Sequence, residues 1–169
     1  LVAGRRKSTD FFAIGNKGRR APDLNFDLDN EAFRLLFQHN LSVTLCPFEI
    51  SSKVWIGEKE LNQLANGDEG MNWLAKHSRP WLQQWQEQGA NGFNPFDVLA
   101  THYVLFPEDI VSEKLNAHLE IHPNDQISEN QRETFKQYLI CDQTAGYPLK
   151  YCYNVSPDYT SKLMDSFLK

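Results

Sequence analysis

Through the first two-thirds of the chain, short runs apolar on both faces alternate with stretches of helical periodicity. That alternation constrains the fold more than any single motif. In Ser42–Phe48, Val43, Leu45 and Pro47 alternate with Thr44, Cys46 and Phe48. Both faces are mostly apolar, as in a parallel-sheet strand covered on both sides, and Pro47 ends the run. Leu1–Ala3 and Val54–Ile56 read as two more short strands, and Phe11–Ile14 as an apolar run closed by Gly15-Asn16. Ala32, Leu35, Leu36 and His39 predict a helix over 29–39, with Asp29 as its N-cap. Glu58–Ala65 predicts another, stopped by Asn66-Gly67. Met71–Gln88 is longer, and Pro80 predicts a kink or two helices. A helix from Pro95 should reach Phe106 and stop at Pro107. Leu115–Ile121, Phe135–Cys141 and Leu149–Val155 read as strands, and 157–168 as a closing helix with Ser156 as N-cap and Pro157 at its first position. The expectation is an α/β chain with a largely parallel sheet flanked by helices, and an antiparallel addition near the C-terminus. One domain should cover 1–169.

Hydrophobic residues make up 41% of the 169, enough for a real core, and the formal charge of −5 offers no basic face to nucleic acid. No apolar run is long enough to span a membrane. Cys46, Cys141 and Cys152 sit apart in apolar runs with no metal spacing, so buried free thiols are expected. They favour a reducing compartment, and the expectation is cytoplasmic. Arg5-Arg6-Lys7 reads as a solvated basic loop. The tryptophan stripe Trp73, Trp81 and Trp85 is either a packing face, against the domain or a partner copy in a homo-oligomer, or a ligand platform.

Asp23, Asn25 and Asp27 occupy alternate positions. In an extended segment they would share one face, a cradle for hydroxyl groups, with Leu24, Phe26 and Leu28 on the other. The competing reading is a polar loop that caps the next helix. Asp97 falls in the first turn of an otherwise apolar helix, which suits either simple helix-start chemistry or a hard-cation ligand beside the sheet. His118 and His122 have a four-residue spacing, but on a strand this is a poor metal pair. The glycine-rich, nucleophile-elbow and HExxH signatures are absent.

Three stretches in fixed order resemble the C-terminal half of the inosine-uridine preferring nucleoside hydrolase family. The first is Gly15-Asn16 with Asp23-Leu-Asn25 and Asp29-Asn-Glu-Ala32, similar to that family's Gly-Asn, Glu-Phe-Asn and Asp-Pro-Glu-Ala. The second is Leu41–Val54, similar to its Leu-Thr-x-x-Pro-Leu-Asp-Val-Thr run. The third is Asn94–Ala100, similar to its His-Asp-Pro-Leu-Ala helix start.

The resemblance implies hydrolysis of the N-glycosidic bond of ribonucleosides, with calcium holding the ribose hydroxyls and the attacking water. It places Asp97 at a calcium-ligating position. It places Asn16, Asp23 and Asn25 at ribose-binding positions, and Phe96 where many members carry a base-protonating His. The family's Asp-rich DxDxxxDD segment has no counterpart here. The resemblance therefore implies the C-terminal portion of a larger domain, with calcium weak or absent in this chain alone and a missing N-terminal segment or chain as its partner. The non-catalytic alternative is a ribosyl-binding or interaction module that keeps the fold.

Overall fold

The computed structural model describes residues 1–13, 20–126, 132 and 134–168. The larger sheet among them has the order β3-β6-β4-β5, from β3 (Thr44–Leu45), β4 (Ile110–Pro123), β5 (Phe135–Asp142) and β6 (Tyr147–Val155). β4 is long enough to serve two partners. Ile110–Ala117 pair antiparallel with β6, and Asn116–Pro123 pair antiparallel with β5. β3 runs parallel to β6, with Leu45 opposite Tyr151. A separate two-residue ladder joins β1 (Phe12–Ala13) to β2 (Arg20–Ala21).

Residues 1–5 connect the two outer strands of the larger sheet. The Leu1 amino group donates to the Thr44 carbonyl at 2.9 Å. Cys46 N–H donates back to Leu1, Arg5 N–H donates to Leu139, and Cys141 N–H donates to Arg5. One extended segment thus touches both β3 and β5, and the sheet curls around an interior of Ala3, Phe26, Phe33, Leu115, Leu139 and Tyr151. Gly4, at φ +89°, makes the close approach possible: a Cβ there would lie 3.1 Å from Leu45 Cδ1 and 3.3 Å from Cys141 Sγ.

Helices α1 (Leu24–Leu28), α2 (Asn30–Gln38), α3 (Phe48–Ser51), α4 (Glu58–Ala65), α5 (Glu69–Glu87), α6 (Phe96–Leu105) and α7 (Tyr159–Phe167) flank this sheet. A second apolar cluster lies among them, with Ile50, Leu61, Leu82, Leu99 and Leu163. The α/β class and the antiparallel C-terminal addition are as expected. Among the described residues parallel pairing is confined to β3–β6 and to the bridge Arg5–Ile140, because the long antiparallel ladders on β4 carry most of the sheet.

Several elements differ from expectation. Only Thr44–Leu45 of the expected strand Ser42–Phe48 pairs, because Pro47 turns the chain into α3. Val54–Ile56 forms a single bridge, Ile56 to Phe93. α5 continues through Pro80. The closing helix starts at Tyr159 with Asp158 at its N-cap. Of the tryptophan stripe, Trp85 is buried while Trp73 and Trp81 are exposed. Arg5 is buried and Arg6 ion-paired, so of the basic cluster only Lys7 is exposed as expected. The cysteines are free and buried. No described helix is long and apolar enough to cross a membrane.

Candidate functional site

The chain enters α1 where an extended strand is expected. Asp27 N–H donates to the Asp23 carbonyl at 2.8 Å, the bond of a helical turn. This overturns the alternating cradle. Asp27 instead pairs with Lys136 on β5 at 2.8 Å. Asp23, at the N-cap of α1, accepts the Gly4 N–H on Oδ2 at 2.7 Å. The Asn25 amide donates to the Val2 carbonyl at 2.8 Å. Asp29 caps α2 by accepting the Ala32 N–H, the helix-start chemistry read from the sequence.

Asp23 and Asn25 nevertheless face a cleft of about 1130 Å³, together with Phe96 and Asp97 from the start of α6. Phe96 projects from a helix start fixed by Pro95, and the Asn94 amide anchors that corner by donating to the Val54 carbonyl at 2.7 Å. Asp97 follows in the first turn and is exposed. Three of the residues read as substrate-binding and the one read as a metal ligand thus share one cavity. Asn16 lies outside the described residues.

One wall of the cleft is aromatic. Phe12 lies 4.0 Å from Phe48 and 5.3 Å from Phe96, centroid to centroid. Behind Phe96, at 6.1 Å, stands Trp85, which touches the cleft-lining Trp81 at 6.0 Å. Another part of the lining is charged. Arg6 bonds Glu49 and Glu113, both at 2.7 Å, with its guanidinium over Tyr151. Phe12, Phe48 and Arg6 escaped the sequence reading because their proximity comes from tertiary closure; only the resemblance could have drawn attention to Phe96.

Beneath the cleft, Arg5 pairs with Asp125 at 3.0 Å, and Asp125 pairs with Lys136 at 3.0 Å. Burial pushes the Asp23 carboxyl up to about 6, against the Gly4 N–H and the nearby Arg5, which pull it down. Near neutral pH Asp23 is therefore a carboxylate of raised basicity, a good acceptor for a hydroxyl.

Calcium takes about 6–8 oxygens. Among the described residues no three His, Cys, Asp or Glu side chains converge to hold an ion. In the cleft, one Asp23 oxygen is already committed to Gly4, and the Asn25 amide to Val2. The described residues do not by themselves make a calcium shell. His118 and His122 both bond Glu120 instead, at 2.8 and 2.5 Å.

No family model matches the sequence, and no curated protein does. Solved structures do match. The chain is similar to a plant nucleoside hydrolase, the PpNRh1 enzyme, with a TM-score of 0.65 at 12% identity, over 82% of this chain and 45% of that one. It is similar to the inosine-uridine preferring nucleoside hydrolase of Bacillus anthracis, with a TM-score of 0.63 at 16% identity, over 99% of this chain and 50% of that one. The chain spans about half the length of these structures. Its fold is nucleoside hydrolase-like.

Proposed function

We propose that this chain forms the sugar- and base-facing wall of a nucleoside hydrolase-like protein that cleaves the N-glycosidic bond of ribonucleosides. The carrying observation is that Asp23, Asn25, Phe96 and Asp97, separated widely in sequence, line one cleft in a fold of this kind. In the proposal, Asp23 and Asn25 accept and orient ribose hydroxyls while positive charge develops at the anomeric carbon. Phe96 and its aromatic neighbours cover the base and keep water from its face. Phe96 has no proton to give, so the position where many family members carry a His supplies no general acid to the leaving base. Calcium belongs to the complete protein in this proposal: Asp97 would be one ligand, and further polypeptide would bring the rest.

The test uses the full natural protein. A p-nitrophenyl riboside should turn over far faster than inosine or uridine, since acid help worth about 10²–10⁴-fold is missing. Asn25→Ala should lower kcat/KM by about 2–4 kcal/mol equivalent, with most of the loss in kcat, as for other preorganised contacts. Equal rates on both substrate types would show that the base is protonated elsewhere. Wild-type kinetics in Asn25→Ala would reduce that residue to a tether for Val2.

A second reading, a ribosyl-binding module without catalysis, is favoured by the lack of a converging ligand set among the described residues. It gains if ribosides bind and none is cleaved.

A further inference from the structure

The cleft continues into a groove between α2 and α6, of about 670 Å³, and Val2, Asn25 and Asp97 line both cavities. The groove is apolar beyond that junction, with Leu1, Leu36, Val104 and Leu105 along it. α6 explains why. Its ten residues, Phe-Asp-Val-Leu-Ala-Thr-His-Tyr-Val-Leu, hold one charge, and apolar side chains point in every direction. Leu99 and His102 are buried against the molecule, yet Val104 is 76% and Leu105 65% exposed. A helix apolar all round belongs between two layers of structure, and among the described residues Val104 and Leu105 are left uncovered.

We infer that the α2–α6 groove is the seat of the polypeptide that supplies the other half of the nucleoside hydrolase-like fold. The inference rests on the functional reading above. The occupant we infer follows from coverage: the chain spans 45–50% of its structural neighbours, whose remaining half is a comparable length of chain. The groove also opens directly onto Asp97. A segment seated there, with an apolar face against Val104 and Leu105, ends beside the exposed Asp97 carboxylate, which joins no cluster of metal-ligating side chains among the described residues. Any groups needed to complete the site would arrive along this groove.

Carbene footprinting of the full natural protein tests this with internal controls. Ile121 and Trp73 lie on other faces and are 66% and 60% exposed, close to Leu105. The expected result is labelling of Val104 and Leu105 several-fold below that of both controls. Equal labelling overturns the inference. So does protection that disappears when sedimentation shows a dimer dissociating, because the occupant is then a second copy. A Val104→Glu variant of the same protein should lose thermal stability while Ile121→Glu does not; an unchanged melting temperature in Val104→Glu also overturns it. Riboside hydrolysis plays no part in either readout. Protection without hydrolysis keeps the surface and removes the enzymatic reading, and hydrolysis without protection does the reverse.

Discussion

Asp23 is held where a carboxylate is uncomfortable. Burial raises its carboxyl to about 6 from an ordinary 3.8, and the Gly4 N–H offsets part of that cost. Between those two values the folded protein holds more protons than the unfolded chain, so stability falls as pH rises through the window. Above it, the ionised Asp23 costs on the order of 2 kcal/mol once its partial exposure is allowed for. Asp125, whose pairing with Arg5 and Lys136 outweighs its burial, and Asp142, bonded by Thr144, are shifted the other way, so their stabilisation is lost as pH falls below about 4. The melting temperature should therefore be highest near pH 4–5. Asp23→Asn keeps an oxygen for Gly4 and removes the charge. It should flatten the decline between pH 4 and 6, and raise stability at pH 7 while weakening riboside binding. A decline of unchanged size in thermal melts of the variant would place its cause elsewhere.

At the scale of elements, Pro80 has no N–H to give the Lys76 carbonyl and sits exposed within the continuous α5. Pro80→Ala restores that bond and should stabilise the protein by about 1–3 kcal/mol in urea unfolding. Destabilisation would mean that the ring makes a contact worth more than the bond. Other helices show how legible local signals were. α4 has the bounds its periodicity and Asn66-Gly67 predict, and α2 starts one residue after its predicted cap. α1 was not legible. Its polar and apolar residues alternate over Asp23–Leu28, a strand pattern, but a turn this short takes its conformation from where Phe26 can be buried. β3 was read too long because parallel pairing needs a partner, and β6 faces only Thr44 and Leu45. The site followed the same division. Asp23, Asn25, Phe96 and Asp97 could be picked out by resemblance, whereas Arg6, Phe12 and Phe48 reach the cleft only through packing of segments distant in sequence.

The molecule as a whole is closed by charge as well as by backbone bonds. Arg5, Asp125, Lys136 and Asp27 form a continuous chain of ion pairs, and the Arg5–Asp125 pair is more than nine-tenths buried. Removing Asp125 leaves Lys136 with Asp27 but strips the buried Arg5 of its counter-ion, with only the Asp10 carbonyl, among the described residues, left to its guanidinium. Asp125→Ala should cost about 3–5 kcal/mol. Glu31→Ala, which breaks the exposed pair with Arg34, should cost at most about 1 kcal/mol. Denaturant titration of both variants checks the contrast, and equal losses would show that the buried chain is not what secures the closure.

That closure also sets an order of events during synthesis. Arg5 finds its partners at Leu139 and Cys141, so the segment that joins the sheet's outer strands emerges long before the strand it must meet. At about 5–20 residues per second, it waits on the order of ten seconds with Ala3 and its apolar neighbours uncovered. Residues 1–5 are thus among the last to lock.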